Sequence, residues 1–341
     1  MALSRTLFLT LVINIGLIQS TKAEETDQFT LPNTELLDLG LIASSRLFKE
    51  IKSAVDQTNR EIRLLESRAQ NNRYAALQLK SRLQGTHFAD LVYSKTGPGY
   101  PRWLPRKSAP GETKPILYNE SKPWKTVYWL AFSQSPLSLI GLAPTIRMYN
   151  YYFGTDKLGH FFMVGHNYYK LYTYYIAHGK STQQAHAAIV TYGKILESTY
   201  LGILINGIYS NGDLAANYAG WKFYMNLTQK VKIGDYTLPA ILILKGNQWE
   251  FSKHVSEESL LMPYLSDNLN EALNPSRYTF SRDQIRKQIK KRCADWVERK
   301  GITQSAVKAK LEESRHWHGE DYGHWLPTNS AVTLATCFGG R

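Results

Sequence analysis

The chain has 341 residues, with 41 lysines and arginines against 28 aspartates and glutamates, a formal net charge of +13. Its 43% hydrophobic content is enough for one large core or two modest ones, and the mean hydropathy is −0.35. Nothing resembles a nucleic-acid-binding motif, a nucleophile elbow, a phosphate-binding glycine loop or a dinucleotide fingerprint, which disfavours nucleic-acid partners, covalent serine catalysis and nucleotide hydrolysis.

The first 23 residues read as a signal peptide. Arg5 precedes a short apolar run, Leu7–Ile18, and Thr21-Lys22-Ala23 offers small residues for cleavage. A dozen apolar residues suits a leader better than a membrane span, with an uncleaved anchor as the other reading. The expectation is export to the periplasm or cell envelope. Removal of Arg5 and Lys22 lowers the charge from +13 to +11. Outside the cytoplasm such an excess points to an anionic membrane surface or envelope polymer as partner. Two cysteines, Cys293 and Cys337, then invite a disulfide closing a loop of about 45 residues, a stabilisation of ~3–4 kcal/mol. Free buried thiols are the alternative in a reducing compartment.

The spacing predicts a mainly α fold, a helical bundle with a long amino-terminal helix or hairpin. Residues 24–96 form that amino-terminal segment, with Leu36, Leu37, Leu41, Ile42, Leu47, Ile51, Val55, Ile62 and Leu65 at mostly helical spacing over 34–85. Past Leu65 the stripe weakens, and Asn71-Asn72 offers a break. Residues 97–123, rich in proline and glycine, read as a long ordered loop or a linker. Residues 124–228 form an apolar, almost wholly helical core. Ser135-Pro136, Thr155, Ser181 and Asn211 are its expected helix starts, with one helix running over 182–208. Residues 126–146 carry no charge, yet His166, Lys170, Lys194 and Glu197 interrupt the later apolar runs. That favours a soluble bundle resting against a membrane over true spans.

Residues 229–341 form the carboxy-terminal region. Alternation over 230–252 about the Gly234-Asp235 turn predicts a small β-hairpin. Residues 281–299 predict a basic helix with Ile285, Ile289, Cys293 and Trp296 facing inward. From Arg277 to Lys310 there are eleven bases and three acids, either a solvated face or a patch for lipid or polymer. The tail holds His316, His318 and His324 beside Glu320 and Asp321. These three histidines are candidate ligands for a divalent metal, and a docked, hydrogen-bonded tail is the equal alternative.

The densest chemistry lies in 154–220. Asp156 and His160 are four apart, as are Asp213 and Asn217, so each pair shares a helix face; Glu197 is the acid of the apolar helix between them. With Lys157 these residues are the candidate catalytic set, suited to acid–base work or to a divalent metal. A buried hydrogen-bond network, or helix-start acids stabilised by the dipole, would use the same residues. The order Asp-Lys-x-x-His-Phe, a later Glu, then Asp-x-x-x-Asn-x-x-Gly resembles the VanZ-like family and is similar to YfiM-like envelope lipoproteins. It is carried by Asp156, Lys157, His160, Phe161, Glu197, Asp213, Asn217 and Gly220, over roughly a fifth of the chain. The family's Gln one turn after the acid is Tyr200 here, and its Arg before the second Asp is missing. The resemblance implies an envelope location and a polar site. A possible activity is hydrolysis or modification of a lipid-linked or phosphorylated envelope component. A non-catalytic envelope factor binding anionic lipid or wall polymer is the reading from another class.

Overall fold

The amino-terminal stripe folds as α1 (Gly40–Ala69), 30 residues long, and buries Ala43, Leu47, Ile51, Ala54, Val55, Thr58 and Ile62 at three- and four-residue intervals. Leu41 and Ile42, expected in that stripe, are exposed. Nothing on α1 beyond Ile62 is buried, and the chain breaks where the asparagines stand. Asn72 caps α2 (Arg73–Gln84), its side chain accepting the Tyr74 and Ala75 amides. The helical hairpin is followed by α3 (Phe88–Thr96). These elements belong to a computed structural model that describes residues 24–97, 123–129, 141–199, 201–279, 281–325 and 331–339. The expected leader, all but the end residues of the expected loop over 97–123, the Ser135-Pro136 start and Tyr200 lie outside the described residues. Among the described residues no helix is long and apolar enough to cross a membrane.

The core is mainly helical, but it opens on a hairpin where the sequence predicts helix. Strands β3 (Thr145–Met148) and β4 (Tyr151–Gly154) pair antiparallel, after two short strands, β1 (Glu24–Glu25) and β2 (Gly141–Leu142), that pair in parallel. The β3–β4 turn needs two consecutive left-handed residues, Tyr149 (φ 49°) and Asn150 (φ 67°). Asp38 holds it from a distance: its carboxylate accepts the amides of Gly40, Tyr149 and Asn150, each at 2.8 Å. A local pattern cannot show a turn stabilised by a side chain 111 residues away.

β4 runs directly into α4 (Thr155–Gly159), which continues through a π turn (His160–Val164) into α5 (Gly165–Ala177). Thr155 is the first helical residue rather than the cap, which is Gly154. A tight turn leads to α6 (Thr182–Ser198), capped by Ser181 as the sequence predicts, with Gln184 completing a capping box. The single helix expected over 182–208 stops ten residues early. Thr199 (φ −129°, ψ −111°) leaves helical geometry, and a short α7 (Ile203–Asn206) and strand β5 (Ile208–Tyr209) follow. Next, α8 (Asn211–Asn226), capped by Ser210 rather than Asn211, packs against α4, the π turn, α5 and α6.

The π turn and α8 meet through glycine. A Cβ on Gly220 would stand 2.0 Å from the Phe161 carbonyl oxygen, and one on Gly165 would stand 2.6 Å from the Gly220 Cα. Both clashes are with backbone, so side-chain rotation cannot relieve them. Gly220→Ala is expected to cost ~1–3 kcal/mol or more through forced separation of the helices, read as a lower urea midpoint. A midpoint equal to the wild type would refute the close-packing role.

Beyond α8 the sequence predicts one hairpin and the structure has two, β6 (Val231–Ile233) with β7 (Tyr236–Leu238) and β8 (Leu242–Lys245) with β9 (Gln248–Phe251). The second docks on α1, where Asn59 both donates to the Trp249 carbonyl and accepts its amide at 2.8 Å. Strand β10 (Ser276–Tyr278) joins β5 to β11 (Ala331–Val332) in an antiparallel sheet. The basic segment is two helices, α9 (Arg282–Lys290) and α10 (Cys293–Lys300), followed by α11 (Gln304–Glu313). Ile285, Ile289 and Trp296 face inward as expected, while Cys293 is only half-buried. Cys293 and Cys337 form the expected disulfide, with Cα atoms 5.4 Å apart.

Candidate functional site

Lys157 is the hub of the candidate site. The residue is 1% exposed, and its ammonium donates to Asp156 Oδ2 at 2.7 Å, Asp213 Oδ1 at 2.6 Å and Glu271 Oε1 at 2.5 Å. An ammonium has three hydrogens, and all three are used. Asp156 and Lys157 come from the first turn of α4 and Asp213 from the first turn of α8, so two helix starts face each other across the lysine. Gly154 leaves room for one further bond, from Thr26 Oγ1 to Asp156 Oδ1 at 2.9 Å. A Cβ there would lie 2.0 Å from both atoms.

Glu271 was not among the residues singled out from sequence. It sits in an irregular segment after the short 3-10 turn Asp267–Leu269 and is completely buried. Ser210 Oγ donates to its Oε1 at 3.2 Å, and Tyr128 OH to its Oε2 at 3.2 Å. Gln28 accepts the Glu271 amide. Buried Glu25 adds a fifth carboxyl close enough to Glu271, Asp213 and Asp156 to feel their charge. The one legible hint in the sequence is a run of polar residues, Asn268, Asn270, Glu271 and Asn274, which the structure buries together.

His160 opens the π turn and faces α8 on the other side of Asp213. Its Nε2 lies 3.4 Å from Asp213 Oδ2, and its Nδ1 lies 3.1 Å from Asn217 Oδ1. Thus the four-residue spacing delivers Asp213 and Asn217 to the same imidazole, one to each ring nitrogen. Glu197, at the end of α6, is completely buried; its Oε2 accepts the Ser210 amide at 3.3 Å, and its Oε1 has no hydrogen-bond partner. The early end of α6 makes this bond possible, because it brings the chain back past Glu197 at Ser210.

The electrostatics follow from five carboxyls crowded around one ammonium. Burial, then repulsion from Glu271 and Asp213, pushes the Glu25 carboxyl well above the usual carboxylate range. Burial and Asp213 do the same to Glu197, opposed by the Ser210 amide. Burial raises Glu271 to about 7, with Lys157 pulling the other way. Lys157 itself is pushed up: burial favours its neutral form, but Asp156, Asp213 and Glu271 together outweigh that. The cluster therefore holds a fixed cation and several carboxyls that favour carrying protons. Two groups of three donors have ligand atoms within 4.8 Å of one another, namely His160, Glu197 and Asp213, and Asp156, Asp213 and Glu271. His160, whose side chain is 15% exposed, is the open member; the side chains of Lys157, Asp156, Asp213 and Glu271 are 0–4% exposed.

The tail histidines are not brought into a comparable group among the described residues. His316 and His318 are exposed, and His324 is half-buried, its imidazole held down to about 4 by burial and by nearby Arg315. What the tail does is dock. Trp317 is fully buried against Tyr218, and Glu320 accepts from Tyr218 OH at 2.5 Å and from Lys222 at 2.7 Å. On the basic helices Lys287, Lys290, Lys291, Arg299 and Lys300 are exposed. Two of the bases also hold the amino-terminal segment, Arg292 through Thr30 and Arg299 through the Pro32 carbonyl.

Fold and site together define a mainly helical protein with a buried lysine–carboxylate cluster and a half-open histidine at a helix crossing. No protein-family model, curated protein or solved structure compared with the chain matches it.

Proposed function

We propose that this is an exported cell-envelope protein that hydrolyses or modifies a phosphorylated or lipid-linked envelope component, with His160 as the group that meets the substrate. The observation that carries the reading is the position of His160. It is the open edge of an otherwise sealed cluster, and Asp213 and Asn217 orient both of its ring nitrogens. A histidine so placed is within reach to pass a proton to or from a bound substrate, and Asp213, itself tied to Lys157, holds the Nε2 side of the ring. The leader-like first residues, the cysteine pair, the basic charge and the VanZ-like order of Asp156, Lys157, His160, Glu197, Asp213 and Asn217 support the envelope location.

A second reading has one observation in its favour. Lys157 is fully satisfied by three buried carboxylates, as in a structural network, and the exposed bases of α9 and α10 then supply the binding face for anionic lipid or polymer. His160→Ala separates the two. On the catalytic reading it folds normally and loses ~10²–10⁴-fold in phosphate or headgroup release from anionic lipid and polyprenyl-phosphate vesicles. It also fails to restore the envelope phenotype of a deletion strain. A His160→Ala protein that folds and complements fully refutes the catalytic reading.

A further inference from the structure

We propose that His160 Nε2, Asp213 Oδ2 and the buried Glu197 carboxylate bind one divalent transition-metal ion of the zinc or manganese class. The three donors lie within 4.8 Å of one another, a separation that ligands of a single ion span. Glu197 supplies the second observation. It is 0% exposed, its carboxyl belongs to this group, its Oε1 has no hydrogen-bond partner, and its other oxygen receives a single amide at 3.3 Å. A buried carboxylate oxygen left so is costly unless a proton or a cation meets it.

The histidine geometry points the same way. Nδ1 faces the acceptor Asn217 Oδ1 at 3.1 Å, and with the single ring proton of a neutral imidazole donated there the lone pair of Nε2 faces Asp213 Oδ2 at 3.4 Å. Two acceptors facing each other are relieved by a proton or a cation between them. Metal-bound histidines are held in this manner, with the far ring nitrogen donating to an oxygen behind it. Lys157 already fills the neighbouring group of Asp156, Asp213 and Glu271, so the second cation belongs on the histidine side, with Asp213 shared between the two. One nitrogen and two oxygens suit zinc or manganese. Three protein ligands leave a coordination position open, and His160, with its side chain 15% exposed, is the member of the set that reaches solvent.

This rests on the proposed function and changes the part His160 plays in it: with Nε2 on the ion and Nδ1 on Asn217 the ring would hold the ion, which would supply the water or hold the phosphoryl oxygen, and the test reads binding. Full-length mature protein stripped with a chelator is titrated with Zn²⁺ and with Mn²⁺ by calorimetry, and Co²⁺ substitution is followed by its visible spectrum. The expected result is one ion per chain, weakened about a hundredfold or more in Glu197→Gln and in His160→Asn, beyond the effect of losing an outer-shell partner. His160 is at the surface edge, so its variant keeps the test open if Glu197→Gln does not fold. A triple variant of His316, His318 and His324 to Ala should bind as the wild type does. Absence of binding, binding unaffected by both site variants, or binding abolished by the tail variant overturns the proposal. Loss of turnover and phenotype in His160→Asn with no metal bound by the wild type leaves the catalytic reading standing and removes only the ion. A bound ion with no turnover and a complementing variant does the reverse.

Discussion

Lys157→Met should destabilise the protein by about 3–5 kcal/mol, the cost of removing one partner from a buried ionic group. Three carboxylates converge on the lost ammonium, and none of the three side chains is more than 4% exposed. That loss is a large part of the stability of an ordinary domain, so the variant is expected to be mostly unfolded or to aggregate on expression. Methionine replaces the apolar stem up to Cε and lacks only the ammonium, which largely separates the charge from the packing. Glu271→Gln or Asp213→Asn on top of Lys157→Met should recover part of the loss, because fewer acids then need a partner. The measurement is urea unfolding of the single and double variants. A single variant within ~1 kcal/mol of wild type, or double variants that are strictly additive, would show that the lysine is not the cluster's counter-charge.

Removing the Cys293–Cys337 bond should cost about 3–4 kcal/mol, from the freed entropy of a loop whose ends are 44 residues apart. The bond ties α10 to the short 3-10 turn Leu334–Phe338, which also packs on α9 and α11. Both elements belong to the smaller of the two apolar clusters, built from Phe29, Tyr128, Ile285, Ile289, Trp296, Val332 and Leu334. A small cluster has little other stabilisation, so a double Cys293→Ala, Cys337→Ala variant should lose this region first. Thermal unfolding with and without reductant checks the magnitude, and an unchanged melting temperature would refute it. The wild-type protein isolated under alkylating conditions tests the export proposal: two free thiols would count against an oxidising compartment.

How much of this was legible in the sequence depends on the range of the interaction. The Asp156/His160 and Asp213/Asn217 pairs, the Ser181 cap and the Asn72 break are events within one helical turn, where backbone geometry alone decides which side chains meet. The cysteine pair was legible too, because only one pairing exists. The rest was decided by contacts between distant segments. Asp38 holds a left-handed turn at Tyr149-Asn150 inside a stretch with a helical pattern, and the early end of α6 at Thr199 lets Ser210 reach Glu197. Glu25 and Glu271 reach the cluster from irregular or barely paired segments that carry no period to read. Lys157 was legible as a member of the site but not as its centre. Spacing places a residue on a face of its own helix, and only packing determines how many charges from other elements arrive opposite it, and therefore whether that residue is an accessory or the counter-ion on which the site depends.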